Sequence, residues 1–186
     1  MKLAVILSLV ILTSCSVPWG VRAKFTMKYE DKKTDAGLQY NGYYISDGYS
    51  LMFFDNGLVT CGIHSLVQDG KITDKNALYH NLIWGTYKYN SDTFRIQMIN
   101  GNGMAPNCFQ DVLKLNNDNT IELISSEGLY LKYFTVNKPG VEHYIQPLKF
   151  VPLLDTVSSD NWFLKKRWFW KEKTDWKNYR KTRKKN

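Results

Sequence analysis

The stretch IWGTYKYNSDTFRIQMI, residues Ile83–Ile99, decides the fold. In its second half Phe94, Ile96 and Met98 alternate with Arg95 and Gln97. That period of two puts apolar side chains on one face of a strand and polar ones on the other. The first half carries Trp84, Tyr87 and Tyr89, ring residues that favour a pleated, half-buried surface. Between the halves Asn90, Ser91 and Asp92 are turn formers. So short a connection joins antiparallel neighbours, because a parallel crossover needs about a dozen residues or more. The stretch reads as a hairpin.

Working outward, the same reading gives candidate strands Gln39–Ser46, Tyr49–Phe54, Leu58–His64, Ile83–Tyr89, Thr93–Ile99, Phe109–Leu115, Thr120–Ser125 and Leu129–Val136. Asp55-Asn56-Gly57, Asn116 to Asn119 and Ser126-Glu127-Gly128 punctuate them as tight turns. Phe109, Leu113 and Leu115 oppose Gln110 and Lys114, and Ile121 and Leu123 oppose Glu122, so one face is buried throughout. Ser65–Asn81 is too polar for a core strand and reads as a lid or a surface loop. The fold class is all-β, an antiparallel meander of about eight strands. Closure into an up-and-down barrel removes its exposed edges, and a two-sheet sandwich is the alternative.

Three pieces of this region also resemble a known group. They are LMFFDNGL (Leu51–Leu58), WGTYKY (Trp84–Tyr89) with TFRIQ (Thr93–Gln97), and YLKYF (Tyr130–Phe134) running into Asn137-Lys138-Pro139. Together they resemble small lipoproteins of Bacteroidetes-type bacteria that carry a lipocalin-like meander. The resemblance spans roughly Gln39 to Pro139 and rests on strand and turn residues. It implies a lipocalin-like barrel and brings no catalytic residue with it. A barrel of this size either fills its interior with side chains or holds one small ligand. Phe53, Trp84 and Tyr87 are accordingly candidates to line a small hydrophobic ligand, or else to plug the barrel.

At the amino terminus Met1-Lys2 precedes the apolar run Leu3–Leu12, too short to span a bilayer but suited to the hydrophobic region of a secretory signal. It ends in Leu12-Thr13-Ser14-Cys15, which resembles a bacterial lipobox. The resemblance implies cleavage before Cys15, a diacylglycerol on its thiol and an acylated new amino terminus. The plainer alternative is an ordinary signal peptide. Ser16 stands where an inner-membrane retention signal would have Asp, which points to the outer membrane of a Gram-negative cell. The expected organisation is a signal at 1–14, a tether at 15–37, a β domain at 38–150 and a basic, Trp-rich helix or tail at 151–186.

Composition is that of a globular protein, with 186 residues, 44% hydrophobic and 23% charged, and excludes a disordered polymer. The net charge of +8 is concentrated at one end, since residues 161–186 hold 11 Lys/Arg against 2 Asp/Glu. Asp155 and Ser158 to Asp160 offer helix caps, and Trp162, Phe169 and Trp176 follow at heptad spacing. Rings interleaved with cations would suit single-stranded nucleic acid, but export removes that partner. An anionic surface fits better, with rings at the headgroup level and contacts from Lys165, Lys166, Arg167, Arg180, Lys181 and Arg183. The bland alternative is a packed helix followed by a solvated tail from Lys177 to Asn186.

Catalytic signals are missing: there is no nucleophile elbow, no paired-histidine zinc motif and no phosphate loop. Cys61 and Cys108 either form a disulfide, which export permits, or remain buried thiols. Cys61, His64, His80 and Cys108 lack the spacing of a zinc site. The expectation is a non-enzymatic envelope lipoprotein without a cofactor, an interaction or scaffolding protein held at the membrane. Its partners would be the membrane through the lipid anchor, and an anionic lipid or an envelope protein. The alternative is a carrier of a small hydrophobic ligand.

Overall fold

A computed structural model describes residues 19–34, 36–100, 107–127 and 146–183. The expected signal, Cys15, Gly128 and the candidate strand Leu129–Val136 lie outside the described residues. Within them the Ile83–Ile99 hairpin forms as read. Strand β6 (Ile83–Asn90) pairs antiparallel with β7 (Thr93–Asn100), and Tyr87 faces Ile96 while Tyr89 faces Phe94. Ser91 takes the positive φ of 62° that the turn requires.

The other long strands are β1 (Gly42–Ser46), β2 (Tyr49–Phe53), β3 (Leu58–Cys61), β8 (Asn107–Leu115), β9 (Ile121–Glu127) and β10 (Lys149–Pro152). With the hairpin they make one eight-stranded antiparallel sheet in the order β10-β1-β2-β3-β6-β7-β8-β9. Gly57, at φ 86°, turns β2 into β3, a backbone conformation that disfavours any side chain. The sheet curls into a half-barrel, and an isolated bridge links its two ends, where Ile121 and Leu148 exchange backbone hydrogen bonds of 2.9 and 2.7 Å. The result is a barrel-like half-cylinder with the seam held at that bridge.

Several boundaries differ from the sequence reading. Gln39 to Asn41 precede β1, and β3 stops at Cys61 because Gly62, at φ 88°, diverts the chain into a 3-10 turn over Ile63–Leu66. Ser126 and Glu127 extend β9 instead of turning, and Ser126 is held by a bond to Asp111. The Ser65–Asn81 connection contains a small hairpin, β4 (Val67–Gln68) with β5 (Lys71–Ile72), and helix α2 (Lys75–His80), capped by Asp74 at the Ala77 amide. Ile72, Ala77 and Leu78 are buried, so this is a packed cover on the sheet.

Two layers of core result. The inner one gathers Tyr44, Leu51, Phe53, Val59, Tyr87, Phe94, Ile96, Met98 and Leu113 inside the curl. The outer one packs Met52, Phe54, Leu58 and Trp84 beneath Phe25, Tyr29, Phe163, Phe169 and Trp170 from the two ends of the chain. The expected tether is therefore only partly a tether. After the short helix α1 (Trp19–Lys24), Phe25 and Tyr29 are 1% and 2% exposed. Tyr29 pairs with Trp170 in a parallel bridge: its N–H donates to the Phe169 carbonyl, and the Lys171 N–H donates to its own, both at 2.9 Å.

A disulfide does not join Cys61 and Cys108. Cys61 points into the inner layer, whereas Cys108 packs against the outer one, so the sheet itself stands between the thiols.

Candidate anionic-surface interface

The three residues expected to line a ligand separate. Phe53 and Tyr87 do share the interior, their rings edge to face at 5.1 Å with Phe94 5.8 Å from Phe53. Trp84 lies on the opposite face of the sheet, because it is three residues from Tyr87 on an alternating strand. There it stacks on Phe54 at 5.5 Å and donates its indole N–H to the Leu78 carbonyl at 3.1 Å. The trio cannot line one space.

One interior group escaped the sequence reading. Asp111 shares the inward face of β8 with Phe109 and Leu113 and is buried. The Tyr49 hydroxyl of β2 donates to it at 2.6 Å, and Ser126 donates from the neighbouring strand. Since β2 and β8 are opposite walls, the Tyr49 bond crosses the interior. Burial raises the Asp111 carboxyl above its usual range, opposed by the two hydrogen bonds. Its signal was its place between two inward apolar residues.

The C-terminal segment is not one helix from Asp155 onward. Asp155 accepts from the Ile72 amide at 3.0 Å, and Asn161 caps a 3-10 turn over Trp162–Lys165. A second 3-10 turn covers Arg167–Phe169, and the helix, α3, spans Lys173–Arg183. Burial of adjacent residues, Phe163 with Leu164 and Phe169 with Trp170, matches no helical period. The chain follows the outer face of the sheet instead. These four side chains are core, which removes them from any headgroup contact. Helix α3 also continues past Lys177, where a frayed tail was expected.

Docking fixes which cations remain available. Trp176 donates its indole N–H to the Lys165 carbonyl at 3.3 Å, and the Tyr179 hydroxyl donates to Asp160 at 2.7 Å. Arg183 pairs with the same Asp160, so its charge is neutralised. Arg167 bonds the Trp170 carbonyl at 2.9 Å, and half-buried Lys166 lies over the Trp162 ring at 5.9 Å. Lys171 pairs with Glu30 at 2.9 Å, and with Lys32 it pulls that carboxyl down to about 2. Arg180 lies over the Trp176 ring at 5.0 Å but stays exposed, as does Lys165 over Tyr79 at 5.2 Å.

At 3.6 residues per turn, Lys173, Lys177, Arg180 and Lys181 fall within about 100° of arc on α3. Trp176, Tyr179 and Arg183 occupy the adjoining arc that faces the body. All four stripe cations are exposed, and none makes an ion pair among the described residues. Of the six cations expected from sequence, this surface keeps Arg180 and Lys181 and adds Lys173 and Lys177. Lys165 stands apart on the preceding turn. Among the described residues no group of three His, Cys, Asp or Glu could hold a metal, and no helix is long and apolar enough to cross a membrane.

The fold and this site define a class, a barrel-like β protein with a cationic helix docked on its outer layer. No protein-family description, curated protein or solved structure matches the chain.

Proposed function

We propose that the chain is a non-enzymatic envelope lipoprotein, tethered through Cys15 and oriented on an anionic surface by the basic stripe of α3. The observation that carries this reading is the stripe itself, four exposed cations on a helix whose other face is held by Trp176, Tyr179 and Arg183. Each Lys or Arg near an anionic bilayer is worth about 1 kcal/mol, so four supply a useful bias without insertion. With Phe163, Phe169 and Trp170 in the core, attraction is electrostatic. The lipobox-like Leu12-Thr13-Ser14-Cys15 supports the anchor, and Ser16 supports the outer membrane as its destination.

Cosedimentation of the unlipidated protein with phosphatidylglycerol vesicles tests the surface role. Arg180→Glu with Lys181→Glu should weaken binding at least thirtyfold, about 2 kcal/mol or more, and flatten its salt dependence. Binding unchanged by that reversal refutes the role. A carrier of a small hydrophobic ligand is the lesser reading, since Phe53, Tyr87 and Phe94 interlock and the Tyr49–Asp111 bond crosses the interior.

A further inference from the structure

A groove of about 760 Å³ runs along the outer face of the β6–β7–β8 wall, beneath Thr26 and Met27 of the N-terminal segment. It is remote in sequence from α3, and nothing in the proposed surface role uses it. Two cations rise from its floor. Lys88 on β6 stands directly opposite Arg95 on β7 in the strand register, and both are exposed. Like charges directly opposite on paired strands repel, so this pairing is unfavourable in the empty groove. Neither side chain has an acidic partner or a hydrogen bond among the described residues. The acid on the rim, Asp92, is engaged by Lys114 at 3.8 Å and by the Thr93 hydroxyl at 3.0 Å.

The wall opposite the cations is held in place. Gln97, 5% exposed, accepts from the Met27 amide at 2.8 Å and donates to the Lys24 carbonyl at 3.1 Å. That pair of bonds fixes the strap over the strands before any ligand arrives, which lowers the ordering cost of binding. The remaining lining is hydroxyl and amide in character, from Thr26, Thr93 and Gln110. The volume falls in the range of small-molecule sites.

We propose that this groove binds a hydroxyl-rich anion, a sugar carrying a phosphate or carboxylate group, with the anionic group bridging Lys88 and Arg95. An anion between the two cations turns their repulsion into two charge-assisted hydrogen bonds. Thr26, Thr93 and Gln110 meet the sugar hydroxyls.

Titration calorimetry with glucose-6-phosphate and glucuronate tests the site in the full unlipidated protein, with glucose and inorganic phosphate as controls. At least one anionic sugar should bind, glucose should not, and Lys88→Gln or Arg95→Gln should each weaken binding about tenfold or more, as loss of a charged hydrogen bond does. Both substitutions sit on an exposed face and relieve the Lys88–Arg95 repulsion, so the unfolding transition should hold or rise slightly and a loss of binding is not a loss of fold. Absence of binding by either anionic sugar overturns the proposal, as does affinity unaffected by both substitutions. Inorganic phosphate binding as tightly as glucose-6-phosphate overturns the sugar assignment. A second arm separates a free sugar from one displayed on lipid. It uses phosphatidylcholine vesicles doped with phosphatidylinositol phosphate and the Arg180→Glu, Lys181→Glu protein, whose α3 stripe is reversed. Retention that Lys88→Gln abolishes assigns the lipid-borne form, and soluble binding without retention assigns the free one. Because that protein lacks the α3 stripe, failure here and failure of the surface role are read separately.

Discussion

Replacing Phe169 by Ala asks whether the aromatic C-terminal segment is core or contact surface. Phe169 is fully buried, stacks on Tyr29 at 5.2 Å with an interplanar angle of 8°, and meets Phe25 at 5.6 Å and Phe163 at 5.0 Å. Truncating a buried Phe to Ala costs about 3–5 kcal/mol, through lost burial and the cavity left behind. Ring pairs add about 0.5–1.5 kcal/mol each beyond area. A loss of about 4 kcal/mol is therefore expected, a large share of the 5–15 kcal/mol typical of a domain. Urea unfolding followed by tryptophan fluorescence reads it as a lower midpoint, and the melting temperature should fall by about 10 °C. Phe169→Leu keeps most of the volume and should cost about 1 kcal/mol. Vesicle binding of Phe169→Leu should match that of the parent. A loss below about 1 kcal/mol for Phe169→Ala, or vesicle binding abolished in a folded Phe169→Leu, would refute the placement of this ring in the core.

Asp111→Asn should alter the pH dependence of stability. The folded-state carboxyl titrates above its unfolded value, so the native state holds its proton longer. Stability from this group is present below the unfolded value and is lost as pH rises through the folded one. The Asn variant should lose that decline, visible as a smaller drop in urea midpoint between mildly acidic and neutral pH; an unchanged profile would count against the buried carboxyl. Cys108, pushed up to about 11 by burial, should alkylate slowly at pH 8 in the native protein, whereas in a variant lacking Cys15 denaturant should release two titratable thiols without reductant. Failure to detect both thiols would contradict their placement on opposite faces. Gln97→Ala strands the Met27 amide and Lys24 carbonyl and should cost about 2 kcal/mol in urea unfolding. A cost below about 0.5 kcal/mol would mean that water replaces those bonds and the strap is not fixed. Cys15→Ala should leave an unlipidated precursor by mass spectrometry, and unchanged membrane fractionation of that variant would sink the lipid anchor.

The barrel-like meander was legible because its signals are local. Alternation in Thr93–Asn100 and turn chemistry at Asp55 to Gly57 and Asn90 to Asp92 need no knowledge of the partner strand. Strand β10 was not legible. It is four residues ending in Pro152, and its partner β1 is a hundred positions away, so only closure of the sheet makes it a strand. The N-terminal segment carried a signal that its charge obscured. Phe25, Met27 and Tyr29 alternate with Thr26, Lys28 and Glu30, the pattern of a half-buried strand, and all three apolar side chains are buried.

The basic stripe could not be read for a related reason. Which cations face outward depends on where α3 begins and which face is packed, and both follow from the irregular path of Asn161–Trp170 over the outer layer. Heptad counting from Trp162 put Trp162, Phe169 and Trp176 on one face, whereas the chain buries neighbours in pairs through 3-10 turns. Once Tyr179 and Arg183 meet Asp160, the helix has no rotational freedom left. Lys173, Lys177, Arg180 and Lys181 must then face away from the body. The charge of the tail was a property of composition, but its direction is a property of packing, and a surface is recognised by direction. Asp160→Asn is the perturbation that separates the two. It removes the Arg183 ion pair and adds about one net positive charge, so charge alone predicts tighter binding to phosphatidylglycerol vesicles. Loosening α3 predicts weaker binding with a less cooperative helical signal, and tighter binding with an intact helix would show that docking does not aim the stripe.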